Sequence, residues 1–188
     1  MTYDIHNQEK KQKGSFTHRM DHPSGLSCVF KHERGLAPKV AKLIWDLCDI
    51  EMIVELGTFQ GGWTKTLEDQ FPMIPIYSYD NVDLIKGNRQ YFGPNVDFRV
   101  ESVLTESKSL IALLRIEMVK LLYCDNGKKK EEVAIYSQWL HSGDFIAVHD
   151  WGNEIFWDDV KTYIGEWEKI GWPQLEAWGS TTRLWRKP

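Results

Sequence analysis

The chain has 188 residues, 42% of them hydrophobic and 27% charged, with a formal net charge of -4. That length fits one domain with a sizeable core, and the composition excludes wholesale disorder. The acidic balance gives no whole-protein attraction to nucleic acid or to an anionic membrane, and no apolar run reaches the length of a membrane span.

Residues 1–35 form a polar, mixed segment broken by Gly14, Pro23, Gly25 and Gly35, with no apolar signal region at its start. His18 and His22 in "HRMDH" have a spacing that ligands on a helix use, and His32 follows. The turn-rich surroundings favour a chance cluster over a zinc site. Residues 36–188 read as the domain proper. In "LAPKVAKLIWDLCD" the apolar residues recur at helical spacing, which predicts a helix from about Pro38 to Cys48.

Strands and helices then alternate. "MIVELG" is an apolar strand and "WTKTLEDQF" a helix stopped before Pro72. "IPIYSYD" is the second strand and "LIKGNRQYF" a short helix. "VDFRV" and the helical "ESKSLIALLR" follow, then the strand "VKLLYCD" and a helix in "KKEEVAIYSQWLHSG" ended by Gly143. "DFIAVHD" is the fifth strand, and "IFWDDVKTYIGEWEKIG" reads as one long helix ended by Gly171. "PQLEAW", a "GSTT" turn and "RLWRK" read as a closing hairpin. Five βα units with apolar strands imply an α/β fold: a mostly parallel sheet with helices on both faces. Cys28, Cys48 and Cys124 show no metal-finger or redox spacing, and Cys48 and Cys124, which lie in apolar runs, read as buried free thiols, which suits a reducing, cytoplasmic setting.

Chemistry gathers where "EMIVELGTFQGGWT" passes from strand to helix. Ligands of open α/β sheets sit beyond the carboxyl ends of the strands, and Gly57, Gly61 and Gly62 fall at such an end. The next strand ends in Asp80, placed for a ribose diol. A dinucleotide fingerprint needs a second glycine where Phe59 stands, and Glu55 is awkward beside a pyrophosphate but suits an ammonium-bearing ligand. At the same sheet edge, "LLYCDNGK" and "FIAVHDWGN" bring Asp125 and Asp150 together. Two such carboxylates either bind a hard divalent cation or cap loops and helices.

"VELGTFQGG" resembles motif I of the class I S-adenosylmethionine-dependent methyltransferases, and "YSYDNVD" resembles their ribose-binding strand. The similarity in element order runs from Leu36 to the carboxyl end. The resemblance implies a Rossmann-like sheet of seven strands in the order 3-2-1-4-5-7-6, strand 7 antiparallel. It puts Glu55 and Gly57 near the methionine part of the cofactor, with Phe59, Gly61 and Gly62 in the same turn. Asp80 and Asn81 would meet the ribose, Glu101, Ser102 and Val103 the adenine, and Asp125 would border the cofactor. It also makes residues 1–35 a lid over cofactor or substrate.

"DNGK" is similar to the D-x-x-K of catechol O-methyltransferase and to the D-x-x-H of macrocin-type sugar O-methyltransferases. That likeness implies Asp125 and Asp150 as magnesium ligands and Lys128 as the general base. The chain departs from both groups at strand five, where His149 and Trp151 flank Asp150. Lys128 is also readable as part of a solvated charge run, "KKKEE". Trp151 and Trp157 are candidates for walling an acceptor pocket or for packing. The resulting expectation is magnesium-assisted O-methylation of a small-molecule hydroxyl in a sugar, catechol or natural product, with a second copy of the chain as a further partner. Two readings of other classes stand beside it: an NAD(P)-binding oxidoreductase, and a non-catalytic module that binds S-adenosylmethionine.

Overall fold

Strands that are apolar along their whole length bury both faces, and in this chain they form the centre of one sheet. The computed structural model describes residues 18–30 and 35–188. In chain order the elements are β1 (His18–Asp21), β2 (Ser27–Phe30), α1 (Ala37–Leu47), β3 (Met52–Leu56), α2 (Gly62–Gln70), β4 (Ile76–Asp80) and β5 (Val96–Val100). They continue with α3 (Lys108–Leu114), β6 (Lys120–Cys124), α4 (Lys129–Tyr136), β7 (Phe145–Val148), α5 (Trp157–Ile164), β8 (Glu168–Lys169), α6 (Trp172–Ala177) and β9 (Arg183–Arg186). The large sheet has the order β5-β4-β3-β6-β7-β9-β8. Counted from β3, that is the expected 3-2-1-4-5-7-6. β3, β4, β5, β6 and β7 pair in parallel, and β9 runs antiparallel to β7 and β8.

Side chains leave a strand alternately, so each strand feeds two cores. Ile53, Leu121, Tyr123 and Ala147 point to the side covered by α1, α2 and the β1–β2 hairpin. Val54, Leu56, Leu122, Ile146 and Val148 point to the side covered by α3, α4 and α5. Beneath the sheet, the buried Lys120 ammonium lies 2.9 Å from Asp144 and donates to the carbonyls of Ile116 and Met118, tying the starts of β6 and β7 together.

Four local expectations differ from the structure. "LIKGNRQYF" forms only a 3-10 turn at Arg89–Tyr91, because Gly87 and Asn88 interrupt its helical pattern. The long final helix ends at Ile164. Past Gly165 the chain turns Trp167 inward, and Glu168–Lys169 pair with β9 instead. "PQLEAW" contributes to the helix α6, with Pro173 in its first turn and Leu175 buried. α4 stops at Tyr136 and a 3-10 turn follows, seven residues before Gly143.

The hairpin of β1 and β2 is the element that sequence reasoning missed. Its signal was the alternation that buries Met20, Cys28 and Phe30. It docks on α2 through His22, whose Nε2 lies 2.7 Å from Asp69 Oδ2 and whose Nδ1 lies 2.9 Å from Ser24 Oγ. His22 therefore serves as a latch, while His32 lies outside the described residues. Gly62 lets the hairpin approach, since a Cβ there would sit 2.4 Å from the Phe30 ring. We expect Gly62→Ala to cost about 1–3 kcal/mol by overpacking. In a denaturant double-mutant cycle with Phe30→Ala, the two losses should be clearly less than additive.

Candidate functional site

The glycine turn is built by backbones meeting. Gly57 has φ +105, and a Cβ on it would lie 2.4 Å from the Asp125 carbonyl oxygen. Its N–H donates to Tyr79 O at 2.8 Å, while the Asp125 N–H donates to Leu56 O at 2.8 Å. The ends of β3, β4 and β6 are thereby clamped at one point. Phe59, at φ +47, directs its N–H to Asp80 Oδ2 at 2.8 Å, and Val82 donates to Asp80 Oδ1 at 3.2 Å. Asp80 thus holds the turn and keeps lone pairs for a ligand. Around this turn lies a cavity of about 380 Å³. Val29 and Phe30 of the hairpin form part of its wall, as do Gly57, Phe59, Gly62, Asp80, Asn81, Asp125, Asn126, Lys129, Asp150 and Glu154.

Not every residue assigned to the cofactor reaches this cavity. Glu55 is fully buried beneath the turn, where its Oε2 accepts from Thr64 Oγ1 at 2.6 Å and from Ser78 Oγ at 2.5 Å. Thr58 Oγ1 lies 2.6 Å from Ser78 Oγ and extends the same network. Burial outweighs these bonds and pushes the Glu55 carboxyl up to about 8, with Asp125 and Asp80 adding to the rise. Glu55 accordingly holds the turn together from beneath the cavity, a different position from contact with the methionine part. Gly61 turns away from the cavity, and a Cβ there would meet Ile85 and Phe92.

The adenine expectation also shifts. Glu101 accepts from Ser107 Oγ and Ser109 Oγ at the start of α3, which lowers its carboxyl from the usual range. Ser102 is exposed and Val103 is buried in the core, and none of the three lines the cavity. Trp151 packs edge-on against Trp172 and Trp185, and the Lys169 ammonium lies 4.8 Å from the Trp157 ring centroid. Neither Trp151 nor Trp157 lines the cavity.

The largest difference concerns the lysines. Lys128 is the N-cap of α4, is exposed and does not line the cavity. The next residue, Lys129, is buried, with its Nζ 3.2 Å from Asp125 Oδ1, 2.9 Å from Asp150 Oδ2 and 2.8 Å from Glu154 Oε2. Burial alone would lower its pKa, but Asp125 and Asp150 outweigh burial and hold the ammonium well above its ordinary range. Burial would likewise raise Asp150; His149 and Lys129 reverse that and hold its carboxyl well below the usual range. His149 Nδ1 stands 3.3 Å from Asp125 Oδ1 and 3.4 Å from Asp150 Oδ2. Ligand atoms of Asp125, His149 and Asp150 all lie within 4.8 Å of one another. Magnesium does not fit this arrangement, because it binds oxygens in a tight octahedron and an ammonium already bridges the two carboxylates. Asp150 is also one of two described non-glycine residues with positive φ, at 59°. A three-lysine run conceals which lysine turns inward. Only the i, i+4 relation of Asp125 and Lys129 hinted at it.

The architecture is similar to that of solved methyltransferase structures. A candidate O-methyltransferase from Klebsiella pneumoniae superposes with a TM-score of 0.57 at 15% identity, over 89% of this chain and 86% of that one. The N-methyltransferase NodS from Bradyrhizobium japonicum gives 0.53 at 12% identity, over 82% and 96%. Human N-acetylserotonin methyltransferase, solved with S-adenosylmethionine, gives 0.52 at 13% identity over 78% of this chain. Several matched chains are longer, and this chain spans 51–58% of their length. No protein-family model and no curated protein matches the sequence. The fold is thus the Rossmann-like class I methyltransferase fold. Among the described residues, no helix is long and apolar enough to cross a membrane.

Proposed function

We propose that this chain is an S-adenosylmethionine-dependent methyltransferase acting on a hydroxyl of a small molecule. The observation that carries the cofactor is the charge of the cavity wall. Asp80, Asp125, Asp150 and Glu154 line it, against the single ammonium of Lys129 among the described residues. A pyrophosphate would add negative charge to that wall, whereas S-adenosylmethionine brings a sulfonium and an ammonium against one carboxylate. The NAD(P) reading therefore fails on charge as well as on the missing glycine. A cavity of about 380 Å³ is of a size that holds a small ligand.

When bound, S-adenosylmethionine supplies a methyl group on a positively charged sulfur. The chain's residues contribute orientation. Asp80 offers oxygens to a ribose diol, the Gly57 turn fixes how closely the ligand approaches, and Asp125, Lys129 and Asp150 form a rigid wall beside it. Magnesium has no part in this reading. Lys128 is exposed and Lys129 is held protonated, so neither is placed to take a proton from the acceptor. That favours acceptors whose hydroxyl ionises readily, phenols and catechols, over sugar alcohols. An amine acceptor is the second reading, favoured by the carboxylates of Asp150 and Glu154 in the wall. A cytoplasmic setting goes with the three buried free thiols.

Calorimetry with S-adenosylmethionine and with NADH tests the cofactor. Binding of the first and not the second is the expected result, and tight NADH binding alone would overturn the reading. Asp80→Asn should weaken S-adenosylmethionine by about 10–100-fold, the usual loss when a hydrogen bond to a charged group is removed. A screen of phenol, catechol and amine acceptors for methyl transfer separates an enzyme from a non-catalytic module.

A further inference from the structure

The place between Asp125 and Asp150 is where the resemblance expects a divalent ion, and in this chain a lysine reaches it. Asp125 Oδ1 and Asp150 Oδ2 are the oxygens that face each other across that place, and both are in contact with Lys129 Nζ. Glu154 Oε2 closes a third side at 2.8 Å, and the Lys129 side chain is only 3% exposed. His149 Nδ1 approaches the same two oxygens from beside them. One residue of register decides this. Lysine three positions after Asp125 is exposed, whereas lysine four positions after it lies on the same face of the turn and reaches back over the carboxylate.

We infer that Lys129 is the built-in cation of this site, taking the place of a divalent metal, so that the site is complete without one and accepts one only when Lys129 is removed. This rests on the S-adenosylmethionine reading for its place beside the cofactor, but its ion chemistry stands separately. Two facing carboxylates without a cation would repel each other and lose their hydration at once, which is costly in a half-buried wall. An ammonium on the chain meets that need permanently and at fixed geometry. A metal ion would have to displace a buried four-carbon stem and leave a void behind it. Lys129 is a positioning residue in this account: it fixes the directions of Asp125 and Asp150, and through them the wall the ligand meets.

Manganese titration of the full chain, followed by electron paramagnetic resonance, tests the inference. The same samples are titrated with S-adenosylmethionine, with and without a chelator. The wild type should bind no site-specific Mn²⁺ at millimolar concentration, and its S-adenosylmethionine affinity should not change with chelator. Lys129→Ala should gain Mn²⁺ binding at least about tenfold tighter than wild type, since a unit charge has left the spot. Adding Asp150→Asn should abolish that gain. Wild-type Mn²⁺ binding that Asp150→Asn removes would overturn the inference. So would a Lys129→Ala protein with native circular dichroism and no Mn²⁺ binding. If the alanine variant does not fold, Lys129→Gln, which removes the charge and offers an amide oxygen as a ligand, is titrated in its place, with the same outcomes expected. Failure of the wild type to bind S-adenosylmethionine would count against the cofactor reading alone, and the manganese result would still decide the role of Lys129.

Discussion

Gly57→Ala is expected to destabilise the chain by about 3 kcal/mol or more and to abolish cofactor binding. The new Cβ would sit 2.4 Å from the carbonyl oxygen of Asp125, 2.6 Å from its carbonyl carbon and 2.9 Å from Asn126 N. All three are backbone atoms in a hydrogen-bonded crossing of strand ends, so no rotamer change relieves the overlap. Backbone strain at φ +105 adds to it. Gly127→Ala is the control: that residue also has positive φ, at +75, but a Cβ there meets nothing within 4 Å. It should cost only about 1–2 kcal/mol, the strain of the left-handed backbone. Urea unfolding of the pair, with calorimetry on each folded variant, checks the difference. Equal losses would show that strain alone, and not the meeting of Gly57 with Asp125, governs the turn.

The second large effect is a pH dependence. The Glu55 carboxyl is pushed up to about 8 by burial, and burial raises Glu132 to about 8 as well. Both bind their proton more tightly in the folded chain than in the unfolded one, where a glutamate titrates near its ordinary value of 4.5. Their stabilising effect is therefore fully present below pH 4.5 and lost as pH rises toward 8. In that window each such group lowers stability by up to about 1.4 kcal/mol per pH unit. Glu55→Gln keeps an acceptor for Thr64 and Ser78 and cannot ionise. It should flatten the decline between pH 5 and 8 and be more stable than wild type at pH 8. S-adenosylmethionine affinity should change little, because Glu55 lies beneath the cavity wall and not in it. A large loss of affinity at unchanged stability would return Glu55 to the ligand.

The unbroken apolar strands "MIVEL" and "KLLYC" were legible because a strand buried on both faces has no other composition available. Their alternation with helices made a parallel sheet the natural reading, and the glycine turn with Asp80 marked the edge where a ligand belongs. The ends of elements were less legible. "EWEKIG" has helical character, yet its residues Glu168 and Lys169 pair with β9, because an edge strand gains hydrogen bonds that a frayed helix end lacks. The β1–β2 hairpin carries too few residues to stand out among turns.

Sequence alone determined the α/β architecture, the sheet edge at which the cavity lies and the convergence of Asp125 and Asp150 there. Tertiary structure decided which groups face the cavity. Glu55 follows the strand's alternation to a buried side, Val29 and Phe30 arrive from a distant hairpin, and Lys129 rather than Lys128 turns inward. Periodicity and composition are properties of single segments and can be read along the chain. Which side chain fills a shared space depends on the angle at which separate segments meet, and a difference of one residue at the start of α4 moves an ammonium from solvent to the centre of the site.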